Sequence, residues 1–184
     1  MKNYRRENPR FSLCGLNCAL CPMHLNHYCP GCGGGEGHQP CAIIRCSQQH
    51  EGVEYCFMCD AFPCEKYDGV TEYDSFITHR NMVRDLKKAQ RMGVQAYQSE
   101  LDEKAVLLRE LLDNYNDGRK KTFYCVAVNL LELGDVISVM KRLASGTDTD
   151  APVKEKAAFA ASCFQEIAQK RGIILKLHKK PKKK

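Results

Sequence analysis

The sequence predicts a mainly α-helical protein in which a small, irregular cysteine-rich module packs on a bundle of about five helices. Ten of the 12 cysteines lie between Cys14 and Cys64, in a glycine-rich segment. That density predicts a metal-binding module of zinc-ribbon or zinc-knuckle type. From about residue 71 onward, apolar residues recur three or four positions apart, which is the helical period.

Four parts are predicted along the 184 residues. Residues 1–10 are polar and form a flexible N-terminus, and residues 11–66 form the cysteine-rich module. Residues 71–177 form the helical domain, and residues 178–184 form a basic tail. The module contains too few apolar side chains for a core of its own, so metal coordination is expected to replace burial there.

Apolar periodicity and capping residues define the five predicted helices. They cover residues 71–92, 94–115, 123–131, 136–143 and about 152–171. Thr122 and Asp135 are suitable N-caps for the third and fourth, because their side-chain oxygens can accept a free N–H of the first turn. Gly93 and Gly172 are suitable stops, because glycine adopts the left-handed conformation at low cost. Residues 173–177 are β-prone.

The cysteine spacing predicts the metal ligands. Three pairs have the form Cys-x-x-Cys, a turn that directs both sulfurs at one point, so two such turns can enclose a tetrahedral ion. The predicted ligands are Cys14, Cys18, Cys21, Cys29, Cys32, Cys41, Cys46, Cys56, Cys59 and Cys64. Two four-cysteine sites need eight of these ten thiols, and the sequence leaves open which two are spare.

Zinc is the predicted metal, with two ions per chain. The segment from Cys29 to Gly33, Cys-Pro-Gly-Cys-Gly, has the form of a zinc knuckle. Its proline stiffens the turn, and its last glycine lets backbone N–H groups reach a sulfur. Neighbouring histidines such as His24 and His50 are possible substitutes for a thiol, but the thiols are already in surplus.

A 4Fe–4S cluster is the alternative to zinc. Cys14, Cys18 and Cys21 have the Cys-x3-Cys-x2-Cys spacing of the triad in radical S-adenosylmethionine enzymes, and iron–sulfur clusters also take four cysteines. Those enzymes need a long run of alternating strands and helices behind the triad. Only 120 residues, mostly of helical pattern, follow Cys64, which disfavours that class and leaves a plain cluster open.

The cysteine segment resembles an uncharacterised family of bacteria and archaea, the domain of unknown function numbered 3795. The matching pieces are residues 14–22 (CGLNCALCP), 29–32 (CPGC), 41–46 (CAIIRC), 53–59 (VEYCFMC) and 62–65 (FPCE). The resemblance covers roughly residues 11–90, because the whole order of cysteines agrees. It implies a cysteine-rich metal-binding domain from a prokaryote, and it implies no particular activity.

The charge distribution restricts the partners. Residues 167–184 contain eight positive residues and no acid, so the net charge of +6 becomes −2 for the other 166 residues. Thiolates at metal sites would make that body more acidic, which disfavours a nucleic-acid surface on it. The Lys-rich tail is expected to make weak, nonspecific contact with nucleic acid or acidic surfaces.

Neither a membrane-spanning apolar run nor a secretory signal is evident, so we expect a cytoplasmic protein, where dense cysteines favour metal over disulfides. The predicted function is metal binding, with structural zinc and a helical domain that contacts an unknown protein partner. A site closed by four cysteines has no open position for water, which favours a non-enzymatic role. An iron–sulfur protein in electron transfer or as an enzyme accessory subunit is the alternative, and an enzyme using a spare thiol such as Cys125 stays open.

Overall fold

The computed structural model describes residues 4–36, 41–148 and 150–181, and over these ranges the chain is mainly helical and has no strand. Contacts divide it into two compact units. One unit contains the residues up to Ser99 together with those from Leu177 onward, and the other is Glu100–Lys176. The coarse prediction of a mainly α-helical chain is confirmed.

The described residues contain seven α-helices. They are α1 Pro22–Leu25, α2 Ala42–Gln49, α3 Met82–Met92, α4 Val94–Asn114, α5 Lys121–Leu130, α6 Leu133–Gly146 and α7 Val153–Lys170. Four predicted helices correspond to α4, α5, α6 and α7 and agree with them to within three residues at each end. None of the described helices is long and apolar enough to cross a membrane.

The predicted first helix is shorter than expected, because residues 71–81 are irregular and α3 begins only at Met82. The Asp74 carboxylate accepts hydrogen bonds from the His79 amide (2.8 Å) and the Thr78 hydroxyl (3.3 Å). Such local bonds from a side chain to nearby groups compete with helix formation. The β-prone segment 173–177 is also not a strand in the structure.

The unit with the cysteines has an apolar core, contrary to the sequence expectation. The Phe11 side chain is fully buried, and its ring centroid lies 5.3 Å from that of Tyr55 and 4.6 Å from that of Tyr97. Met82 and Leu86 are buried on one face of α3. The expectation was wrong because it considered residues 11–66 alone, whereas α3 and the start of α4 contribute apolar side chains to the same unit.

A buried polar network joins the loop before Cys18 to α3. The Asp85 carboxylate accepts hydrogen bonds from the amides of Asn17 (2.8 Å) and Asn81. The Tyr97 hydroxyl in turn donates to the Asn17 side-chain oxygen at 2.9 Å. Because these groups are buried and mutually satisfied, the network holds the loop in one position.

The start of the basic tail contacts the irregular segment before α3. The His178 amide donates to the Asp74 carboxylate at 2.8 Å, and the Lys179 ammonium donates to the Ser75 carbonyl at 2.6 Å. Residues 182–184 of the predicted tail lie outside the described residues. The first two tail residues are therefore part of the cysteine-containing unit.

The second unit has a larger apolar core, built by most of α4 with α5, α6 and α7. Tyr124 is fully buried, its hydroxyl donates to the Tyr115 carbonyl at 2.7 Å, and its ring centroid lies 6.1 Å from that of Phe164. Cys125 and Cys163 are buried on α5 and α7. This is the environment of an inert core thiol.

Candidate metal centre

The zinc-knuckle sequence folds back onto residues 6–9. The Cys32 amide donates to the Pro9 carbonyl at 3.0 Å, and the Arg6 amide donates to the Gly33 carbonyl at 3.2 Å. Gly31 has a φ of 90°, and a Cβ atom placed there would collide with the Pro9 carbonyl oxygen. The turn therefore requires glycine both for its conformation and for the close backbone approach.

Four thiols form a first neighbourhood, which we term the Cys14 group: Cys14, Cys18, Cys32 and Cys41. Burial raises the pKa of Cys18 well above its usual value, and the nearby thiols of Cys32 and Cys14 raise it further. Cys41 likewise contributes to the raised pKa values of Cys14 and Cys32, after burial and closer contacts. The nearby Cys32 backbone lowers the pKa of Cys18 slightly, and the nearby Leu13 backbone does the same for Cys32.

A serine lies against the Cys14 thiol. The Cys14 sulfur lies 3.2 Å from the Ser12 hydroxyl oxygen, which in turn accepts a hydrogen bond from the Leu16 amide at 2.7 Å. Burial, opposed by the Ser12 hydrogen bond, raises the pKa of the Cys14 thiol to about 11. Without a metal this thiol is therefore neutral at physiological pH, and a bound cation would have to displace its proton.

A buried arginine lies against the Cys14 group. The Arg6 side chain is only 1% exposed, and its positive charge lowers the pKa of the Cys32 thiol against the larger effect of burial. Its guanidinium carbon lies 4.8 Å from the centroid of the Tyr55 ring. The sequence reasoning missed Arg6 because residues 1–10 are polar and were expected to be flexible.

Arg6 also organises the surrounding backbone. Its guanidinium donates to the carbonyls of Asn8 (3.1 Å), Phe11 (2.8 Å) and Glu54 (2.7 Å), and it pairs with the Glu54 carboxylate at 3.0 Å. The rigid guanidinium group of one residue thus connects the N-terminal segment, by hydrogen bonds, to the chain just before Cys56.

Replacing Arg6 with methionine is expected to lower the free energy of unfolding by about 2 kcal/mol, because carbonyls are left without donors in the interior. We expect a smaller loss of stability than for breaking a fully buried ion pair, because the Glu54 side chain is 29% exposed and water can solvate it. Urea titration followed by circular dichroism measures the change.

Arg142→Met is the matched control, because the Arg142–Glu166 pair has a similar distance, 2.9 Å, but is exposed to solvent. We expect no measurable change there. Equal effects of the two substitutions would contradict the role assigned to Arg6.

Four more thiols line one cavity, and we term them the Cys46 group: Cys46, Cys56, Cys59 and Cys64. The cavity measures about 30 Å³, about the space of one or two water-sized spheres. Burial raises the pKa of the Cys56 thiol to about 12, and the nearby Tyr67 hydroxyl, which donates to the Cys14 carbonyl at 3.3 Å, opposes that rise. His50 also lines this cavity and could replace a thiol.

Local structure explains how Cys56 and Cys59 reach one cavity. Residues Cys56–Met58 form a single 3-10 turn, closed by a hydrogen bond from the Cys59 amide to the Cys56 carbonyl (3.1 Å). The Cys56 amide donates to the Leu13 carbonyl at 2.9 Å, next to Cys14. The two thiol groups are therefore neighbours in the same unit.

The structure places the other two predicted ligands, Cys21 and Cys29, together at the turn around α1. The neighbouring Cys29 thiol contributes to the raised pKa of Cys21, after the larger effects of burial and of the opposing Met23 and His24 amides. The Cys21 thiol in turn contributes to the raised pKa of Cys18, after burial and the thiols of Cys32 and Cys14. We therefore describe the ten predicted ligand thiols as the Cys14 group, the Cys46 group and the pair Cys21 and Cys29, of which Cys21 also lies near Cys18.

Among the residues that the structure describes, no three or more histidine, cysteine, aspartate or glutamate side chains stand in an arrangement that would hold a metal ion. The thiols are neighbours, but they do not form a preassembled ligand set. Comparison with family models, with curated proteins and with solved structures finds no match to this chain.

Proposed function

We propose that this chain is a metal-binding protein that holds two zinc ions in four-cysteine sites, one formed by the Cys14 group and one by the Cys46 group. The observation that carries the proposal is the cavity of about 30 Å³ lined by all four thiols of the Cys46 group. A small inward movement of the four sulfurs would close this cavity around a single ion with sulfur ligands at about 2.3 Å.

The donor chemistry of both groups fits zinc, which binds thiolate sulfur strongly and favours four tetrahedral ligands. Binding would deprotonate the thiols and draw the sulfurs closer together, because they do not yet form a ligand set. The Ser12 hydroxyl, 3.2 Å from the Cys14 sulfur, and the Ile44 amide, which donates to the Cys41 sulfur at 3.4 Å, would help to orient those two ligands.

A site closed by four thiolates leaves no position for a water molecule, so the proposed role of the zinc is structural. Each site would join segments that are distant in sequence. The Cys46 group would tie α2 to the 3-10 turn at Cys56 and to the chain after Phe62. This unit buries fewer apolar side chains than the helical unit, and the bound ions would compensate for part of that difference.

The proposal is tested by zinc content. Wild-type protein purified under reducing conditions is expected to contain about two zinc ions per chain. Cys18→Ser and Cys59→Ser are each expected to lose about one equivalent, because one ligand of a different site is removed in each case. Elemental analysis of the purified protein, normalised by amino-acid analysis, measures this.

Cys163→Ala is the matched control, since Cys163 is buried in the helical unit and is expected to leave the zinc content unchanged. Loss of zinc in Cys163→Ala, or full zinc retention in both serine variants, would contradict the assignment of the sites.

An iron–sulfur cluster remains the second candidate, favoured by one contact. The pKa of Cys18 is raised in part by Cys14 and Cys21, the other two members of the Cys-x3-Cys-x2-Cys triad, which therefore lie near it. Protein purified without oxygen would then be brown and contain iron and acid-labile sulfide, and Cys21→Ser would lose the cluster. A colourless protein with zinc excludes this candidate.

The helical unit is proposed to contact a protein partner. Its exposed apolar side chains include Val106, Val153 and Ile174, which lie on different elements, so no single surface stands out from them. The partner, the absence of enzymatic activity, the cytoplasmic location and the resemblance to the domain of unknown function 3795 stay predictions.

A further inference from the structure

The turn around α1 brings together two cysteines that are eight positions apart. The Met23 carbonyl accepts hydrogen bonds from the amides of both Tyr28 (2.9 Å) and Cys29 (3.2 Å). The His24 ring nitrogen Nδ1 lies 3.0 Å from the Cys29 carbonyl oxygen. The chain thus leaves Cys21, makes one short helix and returns, so that Cys29 lies beside the start of that helix.

The backbone of the turn holds the two residues close together, and both are reachable from solvent. The Cys21 carbonyl accepts from the Leu25 amide at 2.9 Å, and the Cys29 amide bonds to Met23, two residues after Cys21. The raised pKa of Cys21, caused first by burial and in smaller part by Cys29, agrees with that placement. Both residues are partly exposed, and Tyr28, beside Cys29, is 70% exposed. Small oxidants can therefore reach this turn, whereas Cys125 and Cys163 are buried.

The proposed zinc sites use the eight thiols of the Cys14 group and the Cys46 group, which leaves Cys21 and Cys29 without a metal to bind. We propose that Cys21 and Cys29 form a reversible dithiol–disulfide pair, which is oxidised by hydroperoxides or by small-molecule disulfides such as oxidised glutathione. This inference rests on the proposed function, because it assigns the other eight thiols to zinc.

With hydrogen peroxide the reaction is balanced in two steps. One thiol attacks the peroxide, gains an oxygen atom as a sulfenic acid and releases one water molecule. The second thiol then displaces hydroxide from that sulfur, and with its proton a second water molecule leaves as the S–S bond forms. The two sulfurs lose two electrons in total, and the peroxide gains them. A dithiol reductant reverses the reaction by thiol–disulfide exchange.

Zinc ligation makes the pair selective. Thiolates bound to zinc are held by the metal and by N–H donors and are less available to an oxidant than a free thiol. Mild oxidation should therefore reach Cys21 and Cys29 before it reaches the Cys14 group or the Cys46 group. The expected product is one disulfide in a protein that still holds its zinc.

The experiment uses the full chain as purified with its zinc, treated with increasing hydrogen peroxide. Free thiols are blocked by alkylation, the intact mass is measured, and chymotryptic peptides are mapped. Chymotrypsin cleaves after Leu25 and Tyr28 and so separates the two cysteines. We expect the first product to lack two alkylated thiols, to weigh about 2 Da less before alkylation, and to contain a Cys21–Cys29 disulfide that dithiothreitol reverses.

Serine variants distinguish this inference from the proposed function. Cys21→Ser and Cys29→Ser should keep the same zinc content as the wild type and should lose the first disulfide. Zinc loss in either variant would show that the cysteine is a metal ligand and would overturn the inference while leaving metal binding intact. A first disulfide that joins other cysteines would overturn it as well. A wild-type protein without zinc would contradict the proposed function, and peptide mapping would still decide the inference.

Discussion

Gly15→Ala is expected to lower the free energy of unfolding of the cysteine-containing unit by about 4 kcal/mol, with a steric and a conformational part. A Cβ atom at this position would collide with the Met82 carbonyl oxygen and lie 2.9 Å from Leu86 Cγ, at the first turn of α3. Moving backbone in a packed interior costs about 1–3 kcal/mol. The φ of 92° adds about 1–2 kcal/mol for any residue with a Cβ atom. Urea titration measures the loss.

Gly52→Ala provides the matched control. Gly52 is in the same unit and has a comparable φ of 70°, but a Cβ atom there would meet nothing within 4 Å. The conformational part alone should appear, about 1 kcal/mol. If Gly15→Ala and Gly52→Ala lower the free energy of unfolding equally, then the close approach of Gly15 to Met82 and Leu86 of α3 is not a feature of the folded protein.

The helices of the second unit could be predicted because their information is local. In α5, the run from Tyr124 to Leu130 is buried, and the flanking residues mark both ends closely. The segment 71–81 carries a similar apolar pattern, but Asp74 binds its own neighbours and, through its carboxylate, the His178 amide 104 residues away. A contact over that distance leaves no periodic signal in the sequence.

Cysteine identity and spacing single out ten candidate ligands, and that assignment stays a prediction. They do not indicate how the thiols group in space. The Cys-x-x-Cys rule predicts that Cys29 and Cys32 share an ion, whereas the fold places Cys32 with Cys14 and Cys18 and places Cys29 beside Cys21. The grouping depends on where the knuckle folds back onto Pro9, which is a tertiary contact.

Removing the metal is expected to loosen residues 6–67 and to leave α5, α6 and α7 folded. The reason is the unequal size of the two cores. Among the described residues, the first unit buries 12 apolar side chains and Glu100–Lys176 buries 21. Only seven of the 12 lie in the cysteine segment itself: Phe11, Leu13, Ala19, Leu20, Ile44, Tyr55 and Tyr67. Structural zinc contributes about 10 kcal/mol or more in small modules, so its loss outweighs the contribution of so small a core.

Hydrogen exchange measured by mass spectrometry tests this expectation on the full chain before and after treatment with a strong zinc chelator. Peptides from residues 6–67 should exchange at least about 100-fold faster after the metal is removed, whereas peptides from α5 and α7 should be unchanged. The exchange rate of peptides from α3 should increase by a smaller factor, because Met82 and Leu86 are buried in the same unit. Adding zinc back under reducing conditions should restore the original rates. Unchanged exchange in residues 6–67 after complete metal removal would show that this unit is held by its apolar core and by Arg6, and would contradict a structural role for zinc.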